Sequence, residues 1–342
     1  MFRDLARLPG SPQLHRWADW AELLCIYEGG LTPPGFGVEI EKQKDSILID
    51  TDDDVESDVP LPEPLKNPFE TPAEFRDAVT QRANDTFAFI EARSNYYGNA
   101  YPFGYDASNR RLTLRPLTGA RTLYLFLLFC AAFRYIDDKK FQTTLAGRFE
   151  WLSLQALRRQ LPDRANVHLF GANPSPGAHY NMGVRARVRQ LGMDIREQIL
   201  LNVDKEFDSD SGDGGLDLVA WLDQDDVAPG IQIAFGQCAC GTEWIGKQHS
   251  SSMAAWNPFF RFTAAPLNYC FIPYDFRATD GDWYRRRSIQ GSIIMDRRRL
   301  FNTVGVVDSN GQLSALDSDV VAELKLDEFA ARLEQFDWPT PS

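Results

Sequence analysis

Histidine and cysteine are scarce in this chain, with four of the first and five of the second in 342 residues. Cys25, Cys130, Cys238, Cys240 and Cys270 make no dense, even framework, so a disulfide-stapled scaffold is excluded and a reducing cytoplasm is expected. Cys238 and Cys240 stand two apart with no second Cys or His pair at finger spacing, which argues against structural zinc and for buried thiols. His168, His179 and His249 are isolated, and no nucleophile–His–acid triad is readable. Base is outnumbered: 36 Lys and Arg against 48 Asp and Glu leave a net charge of −12, which argues against indiscriminate coating of nucleic acid. The longest apolar run, Leu123 to Phe133, falls short of the ~20 residues that cross a bilayer. It predicts a buried helix instead, and no membrane partner is expected. The opening Met1-Phe-Arg-Asp-Leu-Ala-Arg7 alternates acid and base without an apolar secretory segment, consistent with the cytoplasmic expectation.

What remains is an ordinary globular composition, 44% hydrophobic and 25% charged, long enough for one large domain or two. Acid is concentrated at Asp50–Asp58, a solvated loop by its composition. Base is concentrated at Arg185, Arg187 and Arg189, at Arg285 to Arg287, and at Arg297 to Arg299, so a local basic groove is available on an acidic protein.

Periodicity organises the chain. Trp17, Trp20, Leu23, Leu24 and Tyr27 predict an amphipathic helix over 12–28, and 29–68 reads as irregular apart from a short strand at Ser46–Ile49. Thr71-Pro-Ala-Glu carries a capping box and opens a second helix. Arg111–Arg115 alternates as a strand, and the apolar helix follows over 119–136. Leu145, Phe149, Leu152 and Ala156 give a helix over 140–160 one buried face, with Glu150 beside it. Val167–Phe170 reads as a strand. A helix is predicted from Met182 to Leu200, with Arg185, Arg189 and Arg196 on one side, either tracking a phosphate backbone or simply solvated. Cys270–Pro273 and Ser292–Met295 read as strands, and 327–336 as a terminal helix.

The most informative stretch is 212–239. Gly212-Asp-Gly-Gly is a tight turn that delivers Asp217 onto the strand Leu218–Trp221, and it lacks the Lys-Ser/Thr ending of a nucleotide-binding P-loop. A polar loop over 222–230 leads to the strand Ile231–Phe235 and then Gly236-Gln237-Cys238-Ala239. A hairpin brings Asp217 and Gln237 together, an acid and a second oxygen donor suited to a hard divalent cation.

These residues resemble the core of the PD-(D/E)XK nuclease superfamily, the restriction endonuclease-like proteins. There the second strand of the sheet carries Asp, and the third carries Glu or Gln, one residue, then Lys. Asp217 and Gln237 match; Ala239 stands where the lysine would be. Some members carry the lysine on the following helix, here predicted over Thr242–Trp256, which makes Lys247 its candidate. The resemblance spans about 140–276. It implies an α/β (α+β) fold in which a mixed sheet is flanked by helices, with a helical and irregular region over 1–138, the nuclease-like core over 139–276, and a C-terminal extension over 277–342 packed on it.

The activity implied is hydrolysis of DNA phosphodiesters with Mg²⁺ or Mn²⁺, in prokaryotic restriction or anti-phage defence. Asp217, Gln237 and the Cys238 backbone carbonyl would be ligands, and Lys247 would place positive charge by the nucleophile. Glu150 is the helix acid of the family, or else a solvent-facing helical Glu. Asp213 is a further acid, or else a turn residue. Arg185, Arg189, Arg196, Arg285, Arg286 and Arg287 are candidates for nucleic-acid contact. RNA is left open as substrate, as are a homo-oligomer and a partner ATPase or sensor. A competing expectation is a nuclease-fold subunit without activity, serving as a binding or assembly module; Gln237 and Ala239 motivate it.

Overall fold

The computed structural model describes residues 5, 7–9, 13–43, 71–106, 108–171, 178–200, 203, 207, 214–307, 313–316 and 318–334. The strand expected at Ser46–Ile49, the acidic block and Asp213 lie outside them. The chain divides into two compact units, one comprising 1–142, 274–284 and 305–342, the other 143–273 and 285–304. The stretch expected to form one C-terminal extension from 277 is therefore shared between the units rather than continuous.

The first unit is mainly helical. Helix Leu14–Glu28 buries Trp17 and Trp20, which meet Phe36 at 6.3 and 5.1 Å between ring centroids. Phe36 belongs to a helix, Pro33–Lys42, in a stretch expected to be irregular. The Gly and Pro content misleads there because both prolines sit in the first turn, where no amide donor is needed, and Thr32 caps the end by accepting from the Gly35 amide at 3.3 Å. The capping box at Thr71 forms as expected: its hydroxyl accepts from the Glu74 amide, and the Glu74 carboxylate accepts from the Thr71 amide, opening helix Pro72–Tyr97. Helix Gly119–Ala131 is buried almost throughout, as its uninterrupted apolar run requires. Within this unit the fully buried Arg93 binds Asp19 Oδ1 at 2.8 Å, Glu22 Oε1 at 2.9 Å and Asp275 Oδ2 at 3.2 Å, while the Tyr101 and Tyr124 hydroxyls donate to Glu22.

The second unit contains a five-stranded mixed sheet. Its elements are α1 (Lys139–Gln160, of which 143 onward belongs here), β1 (Asn166–Leu169), α2 (Val184–Asp194), β2 (Leu218–Leu222), β3 (Gln232–Cys238), β4 (Leu267–Phe271), β5 (Ile293–Met295) and α3 (Arg297–Val304). The strands lie in sequential order; β2 is antiparallel to both β1 and β3, whereas β3, β4 and β5 run parallel. On one face Val219, Trp221, Ile233 and Phe235 pack with Val184, Val188 and Leu191 of α2 and with Trp256. The alternation of these residues along β2 and β3 is the period of two that a sheet imposes.

Of two helices expected in this unit, one ends early and the other is broken in two. The one from Met182 stops at Asp194, and Arg196 takes a left-handed conformation (φ 60°) before a two-residue strand, Gln198–Ile199, pairs with Phe260–Arg261. Buried Glu197 explains the change: its carboxylate accepts from the Thr263 amide and hydroxyl, both at 3.0 Å, bonds that a continuing helix would not reach. The one expected over Thr242–Trp256 is two four-residue helices, Trp244–Lys247 and Met253–Trp256. Gln248 and Ser251 between them are fully buried with hydrogen bonds to distant residues, and Ser252 caps the second helix by accepting from Ala255.

Candidate active site

The site forms where β2 begins and β3 ends. Register pairs Leu218 with Gly236, and the Asp217 amide donates to the Gly236 carbonyl at 3.0 Å, so Asp217 and Gln237 lie across from each other. Glycine is required on both approaches. Gly215 (φ 80°) turns the chain into β2, and a Cβ there would come 2.9 Å from Ser250 Cβ. A Cβ at Gly236 would meet Leu218 and Phe271 at 3.1 Å.

Asp217 is 5% exposed and Gln237 7%. Asp217 Oδ2 accepts two short hydrogen bonds, from the Cys238 amide and from Gln237 Nε2, each at 2.6 Å. Gln237 Nε2 also donates to the Cys238 carbonyl at 3.2 Å. Its other terminal atom, Oε1, is buried and has no hydrogen-bond partner. Such an orphaned acceptor costs about 1–3 kcal/mol.

Glu150 of α1 joins the pair at the end of β1. A Cβ built on Gly171 would lie 3.4 Å from Glu150 Oε2 and 3.7 Å from Asp217 Oδ1, so both carboxylates face this one glycine. The half-buried Glu150 therefore borders the site rather than open solvent. The Cys238 thiol points the opposite way from Gln237, towards Ser153 of α1; burial, with Asp217 and Glu150 adding to it, pushes its pKa well up. Cys270 of β4 pairs with Gln237, and burial together with Asp217 raises its thiol to about 12, while the Lys247 ammonium pulls the other way. Lys247 thus acts on the same strand position as Asp217. It is half-buried at the end of its short helix. Ala239 is fully buried, its amide bound to the Phe271 carbonyl, so a lysine ammonium there would be sealed in the core.

The basic residues separate. Arg196 leaves the stripe expected on α2: it lies beyond the helix and is ion-paired to Asp223 and Asp226 of the hairpin loop. Arg185 donates to the Phe207 carbonyl, and Arg189 is exposed. Arg286 and Arg287 are exposed and Arg285 half-buried. The buried Gln248 ties this segment to Lys247: its amide donates to the Ser288 carbonyl at 2.8 Å and accepts from the Gln290 amide at 2.9 Å.

Two of the histidines, His168 and His179, come together, while His249 bonds to Gln290. His168 stacks between His179 (4.5 Å) and Trp221 (5.2 Å), and His179 Nε2 lies 2.8 Å from Asp194 Oδ2. Burial and His179 push His168 down to about 4, so its ring is neutral at pH 7. The polar partner of Asp194 Oδ2 besides His179 is the Tyr180 hydroxyl, which donates at 2.6 Å.

Among the described residues no group of three His, Cys, Asp or Glu side chains is placed to hold a metal. The oxygen set at the site is more mixed: the carboxylates of Asp217 and Glu150, the unpartnered Gln237 amide oxygen and the Cys238 carbonyl. Hard oxygen donors of this kind fit Mg²⁺ or Mn²⁺. Residue patterning gave Gly171 no role and placed Arg187 only in a basic cluster, whereas it is buried. For Arg187 a signal existed, since it falls three after Val184 and four before Leu191, on the apolar face of α2. Comparison of the chain with protein-family models, curated proteins and solved structures finds no match.

Proposed function

We propose that the second unit is a metal-dependent nuclease of the restriction endonuclease-like kind, hydrolysing phosphodiester bonds in DNA, in prokaryotic restriction or anti-phage defence. One observation carries the reading: Asp217 on the second strand and Gln237 on the third meet at adjacent strand ends, with a buried Gln237 oxygen left without a partner. The sequential mixed sheet and α1, which brings Glu150 to the same end, support it.

Asp217, Gln237 and the Cys238 carbonyl would hold the cation, with Glu150 beside them. When bound, Mg²⁺ or Mn²⁺ would polarise the phosphate and lower the pKa of the attacking water. Asp217 is oriented for this by the Cys238 amide, which fixes one carboxylate oxygen and leaves Oδ1 facing Gly171. Gln237 in place of Glu removes one negative charge, a loss that Glu150 would offset. Lys247 would set positive charge beside the nucleophile. The exposed Arg286 and Arg287, held next to the Lys247 turn through Gln248, would meet backbone phosphates. Arg196, already paired with two aspartates, is not part of that surface in this reading.

Incubation with supercoiled plasmid and Mg²⁺, beside Asp217→Ala, tests the assignment; equal cutting by the two proteins would sink it. A second reading, a catalytically silent module working with a partner protein, is favoured by the buried Ala239 and the neutral Gln237. Calorimetry separates the two, since tight Mn²⁺ binding that depends on Asp217 counts against the silent module.

A further inference from the structure

We infer that Arg187 is a positioning residue for this site, acting through the end of β1 rather than on nucleic acid. The inference rests on the nuclease reading for its purpose but not for its geometry. Arg187 is only 2% exposed, although it sits between Arg185 and Arg189 in sequence. Its helical position turns it inward with Val184 and Leu191, and its guanidinium lies 5.3 Å from the centre of the Phe170 ring.

One end of the guanidinium, Nη1, donates to two successive carbonyls, those of Phe170 and Gly171. The amides of these same residues donate to the Asp217 carbonyl, at 2.7 and 3.2 Å. Two consecutive residues, Phe170 and Gly171, are thus held from both sides, by Arg187 through their carbonyl oxygens and by Asp217 through their amide nitrogens. Gly171 is also the residue faced by Asp217 Oδ1 and Glu150 Oε2. Arg187 therefore fixes the strand end against which both carboxylates are set. A rigid planar donor suits this task, because it is fully charged at any working pH and bonds several acceptors in fixed directions; lysine supplies charge without that geometry.

The outcome sought is local. In Arg187→Lys, the amides of Phe170 and Gly171 would exchange hydrogen about tenfold faster, while those of Val219 and Ala220 in the middle of β2 stay unchanged. Mn²⁺ affinity would fall about tenfold, the lower end of what supporting partners of ligands are worth. Arg187→Met would show the same exchange pattern with a larger loss of affinity; if it fails to fold, the lysine variant alone decides. Wild-type exchange at Phe170 and Gly171 in a folded Arg187→Lys protein overturns the anchoring. Faster exchange with unaltered Mn²⁺ affinity overturns the link to the site. If the unmutated protein binds no Mn²⁺, the nuclease reading falls, and the exchange data still settle whether Arg187 anchors the strand end.

Discussion

Replacing Gln237 by Glu would install the charged residue that many PD-(D/E)XK sites carry, and the geometry gives the cost. Gln237 Nε2 now donates to Asp217 Oδ2 at 2.6 Å. A carboxylate oxygen in its place would put like charges at that distance, a repulsion of about 6 kcal/mol at an effective dielectric of ~20. The protein has a less costly option, which is to take up a proton and restore a donor to Asp217. Protonating an ordinary Glu at pH 7 costs about 4 kcal/mol, so this sets the ceiling on destabilisation. The sign follows: the pair's upper pKa is raised on folding, so the folded form binds more protons than the unfolded chain and the deficit shrinks as pH falls. At pH 5 it would be about 1 kcal/mol. Mn²⁺ at about 100 times its dissociation constant would return roughly 2.7 kcal/mol at pH 7. The assay is urea unfolding of both proteins at pH 5 and 7, with and without Mn²⁺, followed by Trp fluorescence. A stability difference that is the same at both pH values would refute the argument, because it would mean the new carboxylate does not face Asp217.

Two further outcomes concern the frame around the site. Gly215→Ala would lose about 1–3 kcal/mol of stability, because a φ of 80° and a Cβ 2.9 Å from Ser250 combine strain with a clash; an unfolding midpoint equal to wild type would contradict this. His168 stays neutral in the folded state down to about pH 4, whereas in the unfolded chain it takes up its proton near 6.5. Stability from this residue is therefore intact above pH 6.5 and is lost as pH falls towards 4. His168→Phe, which preserves the stack with Trp221, would flatten the acid limb of the stability curve between those values, and an unchanged limb would show that other groups produce it.

Patterns confined to a few neighbouring residues are legible in the amino-acid order itself. The capping box at Thr71 and the Gly-Gly turn that feeds Asp217 into a hairpin depend on local chemistry and form as expected, and the buried helix expected over 119–136 forms over Gly119–Ala131, followed by a 3-10 turn at Phe133–Tyr135. The pairing of Asp217 with Gln237 is legible in the same way, because hairpin register follows from alternation on two adjacent strands. Glu150 is legible only as one of two alternatives, since a helix wheel places a residue beside the core without naming what lies above it.

What the sequence determined alone is thus the local grammar: caps, turns, alternating strands and the acid–amide pair at their ends. The tertiary structure decided everything that depends on partners far along the chain. Helix α2 ends at Asp194 because Glu197 finds Thr263, and the Lys247 helix breaks because Gln248 finds Ser288. Arg196 is withdrawn by Asp223 and Asp226, and Arg187 is turned inward onto Phe170 and Gly171. For Glu197, Gln248 and Arg187 a buried polar side chain gains hydrogen bonds that outweigh the fraction of a kcal/mol by which local propensity favours continuing the pattern, whereas Arg196 is held by two aspartates at the surface.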